Sequence, residues 1–385
     1  MYGVRRKLVI VTEIIAPYRI PVFNALARRG DIDLHVIFLA EIDETQRQWQ
    51  IHKDEIQFSY EVLRSWRRRF GKYHCLLNWG MRSALARFAP DVIVCGGYNY
   101  LASWVALRWA LKHQVPMLLW VESTARDHRG SHTLVECLKS WFMRRCQGFV
   151  VPGKSSFQYL RNYGLSAETI FTAPNAVDTD FFSRNSEVVR RDPASYRQEL
   201  NLPPHFFLFA GRLVPGKGVF DLLEAYMSLP SELRSQWGLV FVGNGSASSE
   251  LQMRAAKLTD GSVQCAGFAQ RERLAIYYGL AEVFVFPTHT DPWGLVVNEA
   301  MACKLPVITS AAAGCADDLV QDGWNGYVFP TGDVKQLSAL MKSMASHALR
   351  RQEMGEHSYE RIQYYSPEVC ANGIAVAALS QVSIR

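Results

Sequence analysis

The chain has 385 residues, of which 49% are hydrophobic and 20% are charged, with a formal net charge of +6 at pH 7. This length predicts two domains of ordinary size, each with its own core, rather than a single domain. No segment approaches the roughly 18 to 20 apolar residues of a membrane span, and the N-terminal apolar run is too short for a signal peptide, so we expect a cytoplasmic protein.

Short β-branched or aromatic runs alternate with helix-compatible segments along the whole chain, a pattern typical of βαβ units in an α/β protein. In the first half the predicted strands are Leu8–Ile14, Leu34–Leu39, Val92–Cys95, Met117–Val121, Phe149–Val151 and Thr169–Ala173. In the second half they are Phe206–Ala210, Leu239–Val242, Val263–Ala266, Val283–Pro287, Val307–Thr309 and Tyr327–Phe329. Two doubly wound parallel sheets follow from this pattern.

The break between the two series predicts the domain boundaries. We assign residues 1–183 to the first domain and residues 204–363 to the second, with a hinge in the charged, proline-terminated stretch between Asp178 and Pro204. A last helix is predicted from about Pro367. No repeat of 20 to 50 residues is visible.

Charge is distributed unevenly between these halves. Residues 1–183 hold 24 Lys and Arg against 16 Asp and Glu, whereas residues 204–363 hold 13 against 16. The excess predicts an anionic partner for the first half, either an acidic acceptor or an anionic membrane surface, and no nucleic acid is expected. The densest basic run extends from Arg64 to Lys72, with a solvated loop or helix face as the alternative interpretation. Three aromatic residues are interleaved with its cations: Trp66, Phe70 and Tyr73.

Eight cysteines are scattered along the chain without any C-x-x-C pair, and several lie inside apolar runs. They are predicted to be reduced core residues, not metal ligands or disulfides. Their positions are Cys75, Cys95, Cys137, Cys146, Cys265, Cys303, Cys315 and Cys370.

The most informative segment follows the predicted strand ending at Pro287. An irregular loop with Asp291 leads into a helix that begins near Gly294, Leu295 and Val296 and contains Glu299. The free amides and positive dipole end of that helix would bind a phosphate. The two carboxylates would bracket opposite ends of one ligand; alternatively, Asp291 caps the helix and Glu299 lies on its surface.

A second segment begins with the strand that ends at Ala210 and continues into a glycine-rich turn. Arg212 and Lys217 lie there, at the carboxyl end of a parallel strand, where open α/β sheets bind ligands, and two cations suit a diphosphate. The turn resembles a Walker A loop but has Gly218 in place of the magnesium-binding Ser or Thr, which argues against a phosphate-hydrolysing P-loop.

Two weaker signals follow the next strands. The turn Gly243-Asn244-Gly245 permits close backbone approach to a ligand, with an ordinary strand-to-helix turn as the alternative. Phe268 is a candidate surface for a flat base.

Residues 206–330 carrying these motifs resemble the donor half of glycosyltransferase family four, whose members are retaining enzymes with the GT-B fold of two Rossmann-like domains facing across a cleft. The resemblance implies that Arg212 and Lys217 hold the donor phosphates. It also implies that Glu299 binds the ribose hydroxyls and that Asp291, which replaces the family's glutamate, meets the donor sugar. The last helix would cross back to the first domain.

The first half departs more from the family. The turn after the first strand contains Pro17, Tyr18 and Arg19, which a subset of the family shares, and Glu122 stands where many members have a histidine near the reacting carbon. These four residues are assigned to the acceptor side, with Glu122 as a candidate catalytic group; alternatively, Glu122 caps the following segment.

The resemblance implies a metal-independent, retaining transfer of a sugar from a nucleotide diphosphate sugar, with UDP as the expected nucleotide, to a saccharide or lipid-linked saccharide. Asp291, Glu122, Arg212 and Lys217 are the candidate catalytic residues. The two Asp-x-Asp sequences begin at Asp31 and Asp178, and neither is clearly placed for a metal. A non-catalytic nucleotide-sugar binding protein and a nucleotide-sugar epimerase are the alternatives, and peripheral contact with an anionic membrane is a further expectation.

Overall fold

A computed structural model describes residues 5–42, 48–70, 73–125, 133–258 and 262–381. The chain divides into two compact units, the first formed by residues 1–176 and 367–385 and the second by residues 177–366. Lys72, the last residue of the predicted basic run, lies outside the described residues.

The first unit is built on a seven-stranded parallel sheet. Its strands are β1 (Arg6–Thr12), β2 (Ile32–Phe38), β3 (Ser59–Val62), β6 (Val92–Cys95), β7 (Met117–Trp120), β8 (Gly148–Val151) and β9 (Ile170–Thr172). The spatial order is β3-β2-β1-β6-β7-β8-β9. All six predicted strands are present, and the sequence missed β3, whose burial is only partial because it lies at the sheet edge.

Helices cover both faces of this sheet, and an apolar cluster lies on each face. They are α1 (Ile20–Ala27), α2 (Met81–Phe88), α3 (Leu101–His113), α4 (Thr133–Met143), α5 (Lys154–Asn162) and the last helix, α16 (Pro367–Ser380). The apolar helix α16 packs against α1 and β9, where Ile374 is fully buried. Helix α16 thereby completes the hydrophobic core of the first unit.

The basic run forms a strand, where the sequence allowed a loop or a helix face. Strand β4 (Arg64–Phe70) pairs antiparallel with β5 (Tyr73–Trp79) in a separate two-stranded sheet. Leu76 on β5 is buried, so one face of this hairpin packs inward and alternate residues point outward. For Arg69, Phe70 and Tyr73 the description extends only to the backbone.

The second unit contains a six-stranded parallel sheet. Its strands are β10 (His205–Ala210), β11 (Trp237–Val242), β12 (Val263–Cys265), β13 (Val283–Phe286), β14 (Val307–Ser310) and β15 (Gly326–Phe329). The spatial order is β12-β11-β10-β13-β14-β15. All six predicted strands are present, and the expectation of two doubly wound α/β sheets is confirmed.

Ten helices among the described residues belong to this unit. They are α6 (Thr179–Arg191), α7 (Pro193–Leu200), α8 (Val219–Met227), α9 (Ser231–Arg234), α10 (Ser248–Ala255), α11 (Arg271–Leu280), α12 (Leu295–Ala302), α13 (Ala316–Leu319), α14 (Val334–Ser346) and α15 (Ala348–Ile362). The stretch that was expected to contain the hinge holds α6 and α7, because Asp178 and Asp192 cap their N-termini by accepting hydrogen bonds from backbone amides.

All eight cysteines are free, as the sequence predicted. Four are buried, namely Cys95, Cys303, Cys315 and Cys370, but Cys137 is exposed on α4 and is a correction to the prediction of core positions. Among the described helices, none combines the length and apolar character that crossing a bilayer requires.

Candidate active site

The site of the second unit lies where its strand order reverses. β10 has β11 on one side and β13 on the other, so the connections that follow β10 and β13 lead in opposite directions across the sheet. Such a reversal opens a crevice at the carboxyl ends of the two strands, and ligands of open α/β sheets bind there. The two segments singled out in the sequence, with Lys217 and Asp291, follow these two strands.

Lys217 and Asp291 contact each other directly. The Nζ of Lys217 lies 2.6 Å from Oδ2 of Asp291 and also donates a hydrogen bond of 2.8 Å to the carbonyl of Thr290. Both side chains are largely buried. Two residues assigned separately, one to the phosphates and one to the donor sugar, therefore form one ion pair.

The loop that carries Asp291 is held by local hydrogen bonds. Oδ1 of Asp291 accepts the amide of Trp293 at 3.0 Å, and the indole Nε1 of the buried Trp293 donates to Asn298 at 2.8 Å. The amide of Gly314, after β14, donates to the carbonyl of Asp291 at 2.9 Å. These bonds fix Asp291 before α12, so it does not cap that helix.

Gly294 is the residue that caps α12. Its φ of +99° favours glycine, and a Cβ at this position would lie 2.7 Å from the ring of Phe286. The first amides of a helix have no intrahelical partner, which applies to those of Leu295 and Val296. The amides predicted to bind phosphate thus begin the helix immediately after the loop of Asp291.

Glu299 lies one turn inside α12 and contacts a residue that the sequence did not indicate. The hydroxyl of the fully buried Tyr278, on α11, donates a hydrogen bond of 2.8 Å to Oε2 of Glu299. Burial raises the pKa of Glu299 to about 7, although the hydrogen bond from Tyr278 acts in the opposite direction. Glu299 is therefore not an ordinary surface glutamate.

The glycines after β11 have a structural reason of their own. A Cβ on Gly243 would lie 1.8 Å from the carbonyl oxygen of Gly211, and one on Gly245 would lie 2.2 Å from that of Leu213. The carbonyl of Asn244 accepts the amide of Leu213 at 2.9 Å. These residues hold the turn after β10 in place by backbone contact, as in the alternative interpretation of a structural turn.

Two further candidates, Arg212 and Phe268, have solvent-exposed side chains. Arg212 is exposed, and no described residue forms an ion pair with it. Phe268 follows Gly267, which has a φ of +77°, and is 40% exposed. Both follow strands of the same sheet at their carboxyl ends, and both are accessible to a ligand.

The candidates in the first unit form a second ion pair. Nη2 of Arg19 lies 2.6 Å from Oε1 of Glu122, and the guanidinium stacks over the ring of Trp120 with 4.1 Å to its centroid. Pro17, Tyr18 and Arg19 form a single 3-10 turn after β1. Glu122 follows β7, and the sequence assigned it to the acceptor side without indicating that it pairs with Arg19.

Sequence reasoning missed Tyr278 and Trp120. Each lies inside an apolar run, where an aromatic residue is expected from packing alone, so nothing in the pattern distinguishes them. Only tertiary structure brings their side chains to Glu299 and Arg19.

The two Asp-x-Asp sequences have structural partners. Asp31 forms an ion pair with Arg29 at 2.7 Å, and Asp178 accepts the amide of Phe181 at 2.9 Å. Within the described ranges, no three His, Cys, Asp or Glu side chains are grouped so as to hold a metal ion.

Comparison with known proteins places both units in one class. Residues 192–361 match the family model of glycosyl transferases group 1, and residues 22–181 match the model of glycosyltransferase family 4. The structure resembles that of HepE from Anabaena in complex with UDP and glucose, with a TM-score of 0.74 and 17% identity over 98% of this chain and 100% of that one. The fold is thus GT-B, as the sequence predicted.

Curated relatives agree with this class. A D-inositol 3-phosphate glycosyltransferase from Xylanimonas cellulosilytica is 33% identical over 42% of this chain and 40% of its own length. A glycogen synthase from Mycobacterium tuberculosis is 25% identical over 84% of this chain and 77% of its own. The two family models match separate halves of the chain, so each half is similar to glycosyltransferases of family 4 and group 1. The chain spans only about two fifths of the length of the first curated relatives, 40% and 43%.

Proposed function

We propose that this chain transfers a sugar from a nucleotide diphosphate sugar to a saccharide or lipid-linked saccharide acceptor. The observation that carries the proposal is the convergence of Lys217, Asp291 and the start of α12 at the strand reversal of the second unit. Cations, free amides and a carboxylate at that place suit a diphosphate joined to a polyhydroxylated sugar.

In this proposal the second unit binds the donor. Arg212, Lys217 and the amides at Gly294, Leu295 and Val296 stabilise the charge that develops on the diphosphate as it leaves, because preorganised donors supply a large share of catalysis in such reactions. Glu299 accepts hydrogen bonds from the ribose hydroxyls, and Asp291 binds hydroxyls of the donor sugar.

The donor is proposed to be a UDP-sugar. Support comes from the similar HepE structure, which contains UDP and glucose. Among residues of this chain, Phe268 offers an exposed ring on which a base can stack, beside the glycine turn at Gly243.

The transfer is proposed to proceed with retention and without a metal ion. The bond from the anomeric carbon to the β-phosphate oxygen breaks, and the acceptor oxygen forms its bond on the same face of the sugar. The acceptor proton passes to the departing phosphate oxygen. Two observations are consistent with metal independence: Asp31 is already paired with Arg29, and Asp178 caps α6.

The first unit is proposed to receive the acceptor. Pro17, Tyr18, Arg19 and Glu122 lie at the carboxyl ends of β1 and β7, and Glu122 is only partly buried. The basic excess of residues 1–183 suits an anionic acceptor, and we extend the proposal to peripheral contact with the anionic inner face of a membrane.

A panel of radiolabelled UDP-sugars, incubated with the protein and with lipid and saccharide extracts, tests the proposal. Label in an acceptor fraction, with retained anomeric configuration by NMR, is the expected result. Donor binding by thermal shift without transfer to any acceptor would instead assign the chain to the alternative, a nucleotide-sugar binding protein. Interconversion of the donor itself would indicate an epimerase.

A further inference from the structure

Helix α4 of the first unit has an exposed apolar face. Val135, Leu138 and Trp141 follow one another at intervals of three residues, and their exposures are 52%, 48% and 43%. Residues at this spacing lie along one side of a helix. A surface helix ordinarily directs its apolar stripe towards the core, so this arrangement is reversed.

The opposite side of α4 is fixed to the unit by buried contacts. Lys139 is almost fully buried, and its Nζ donates hydrogen bonds to the hydroxyls of Tyr159 and, at 2.7 Å, Tyr163. Glu136 accepts a hydrogen bond of 2.7 Å from Tyr163, and Phe142 is fully buried. These contacts hold the inner side of α4, so the apolar face cannot turn inward without breaking the hydrogen bonds of Lys139 and Glu136.

Helix α3 continues the same surface. Trp104 on α3 stacks against Trp141 with 5.6 Å between ring centroids. The guanidinium of Arg145 also lies over the ring of Trp141, 3.5 Å from its centroid. Leu101 and Leu111 of α3 are 62% and 45% exposed. The result is a patch of exposed leucines and stacked indoles on two neighbouring helices.

Among the described residues near this patch, cations predominate. Arg108 and Lys112 are exposed on α3, Arg82 is exposed on the adjoining α2, and Arg144 is exposed after α4. None of these four has an ion-pair partner among the residues that the structure describes. The single acidic residue of α2, α3 and α4 is Glu136, which pairs with Lys139 at 3.5 Å.

We propose that the outward faces of α3 and α4 dock on the headgroup region of an anionic lipid bilayer, with Leu138 and Trp141 inserted and the surrounding cations on lipid phosphates. The inference rests on the peripheral membrane contact proposed above and assigns it to a surface. Indole and leucine side chains suit the boundary between headgroups and acyl chains, and each cation near an anionic leaflet adds about 1 kcal/mol.

The charge pattern favours a bilayer over a second copy of this chain. In a symmetric dimer the same patch would meet itself, which would bring the cations of both copies together without acidic partners. The basic hairpin lies beside α3, because β5 contacts that helix, and its Trp66 and Trp79 are exposed. Arg67 of that hairpin is directed towards Glu13, at 3.5 Å, and is therefore excluded from the docking surface.

Sedimentation of the full chain with vesicles of equimolar phosphatidylglycerol and phosphatidylcholine tests the inference. Leu138→Ser and Trp141→Ser should each lower the partition coefficient about tenfold, as expected for loss of one inserted side chain. The pair Arg108→Ser and Arg144→Ser should lower it and reduce its dependence on salt. The second unit provides matched controls. Met253→Ser and Leu349→Ser remove exposed apolar side chains, and Lys335→Ser and Lys342→Ser remove exposed cations. All four variants should bind the vesicles as the unaltered protein does.

Leu138→Ser keeps the test valid if loss of the stacked Trp141 destabilises α4. The inference is overturned if the unaltered chain stays in the supernatant, if it binds phosphatidylcholine vesicles equally well, or if the α4 variants bind like the controls. It is also overturned if ultracentrifugation shows a dimer that Trp141→Ser dissociates. UDP affinity, measured by calorimetry on the same samples, reports separately on the donor site, so failure of either proposal is distinguishable.

Discussion

Lys217 and Asp291 are 74 residues apart in the chain, yet the Nζ of one lies 2.6 Å from a carboxylate oxygen of the other. The pair joins the loops that follow β10 and β13. It places a cation and an anion at the proposed junction of diphosphate and sugar. Among the described residues, no third charged group forms an ion pair with either side chain.

Lys217→Ala should reduce turnover of the UDP-sugar by about 10- to 100-fold, the range for loss of a hydrogen bond to a charged group. The variant would lose the proposed phosphate contact and leave the Asp291 carboxylate without its cation near the diphosphate. Lys335→Ala, an exposed lysine of the same unit, is the control. Steady-state kinetics checks the effect, and the double variant with Asp291→Asn should recover part of the loss in UDP affinity because the repulsion is gone. Additive losses would contradict coupling within the pair.

Glu299 should make folding stability depend on pH. Its pKa is about 7 in the folded protein, above the ordinary 4.5, so the folded state binds the proton more tightly. The free energy of unfolding therefore decreases as pH rises from 4.5 towards 7. We expect a decrease of about 1 to 2 kcal/mol, because the Glu299 side chain is only partly buried and solvent screens its charge. Denaturant titrations across this interval should show the trend in the unaltered chain and a smaller one in Glu299→Gln. Identical slopes for both proteins would argue against it.

The same carboxylate gives a prediction for nucleotide binding. Glu299→Gln should weaken UDP-glucose binding by about 1.5 to 3 kcal/mol, because the proposed acceptor of the ribose hydroxyls becomes a neutral amide. Calorimetry with UDP-glucose and with its 2′-deoxyribose analogue provides the comparison. Equal affinities of the unaltered protein for both ligands would remove the ribose assignment.

Gly243→Ala should destabilise the second unit strongly, because its Cβ would lie 1.8 Å from the carbonyl oxygen of Gly211 and its φ is +140°. A loss of more than about 4 kcal/mol is expected from such backbone displacement. Gly216→Ala is the matched control, since no atom lies within 4 Å of its added Cβ. Thermal unfolding of both variants decides the matter: similar melting temperatures would mean that the turn after β11 is not fixed by this contact.

The general arrangement of the strands could be predicted from sequence because parallel strands buried on both faces appear as short apolar runs between helical segments. Strand β3 and the hairpin β4–β5 lacked that signal, since β3 lies at the sheet edge and β4 carries a run of arginines. The positions of Lys217 and Asp291 followed from their placement after strands. Their ion pair, and those of Glu299 with Tyr278 and Arg19 with Glu122, depend on strand order, which local patterns do not encode.

The transfer reaction compared between the unaltered chain and Arg212→Ala, each with and without EDTA, tests the central claim most directly. Radiolabelled UDP-sugar and an acceptor extract are the substrates, and calorimetry with UDP measures donor affinity in parallel. The account predicts that the unaltered chain transfers sugar and that EDTA leaves this activity largely unchanged. It also predicts that Arg212→Ala strongly reduces both transfer and UDP affinity while the melting temperature stays the same. Transfer that Arg212→Ala retains in full, or that EDTA abolishes and manganese restores, would contradict it.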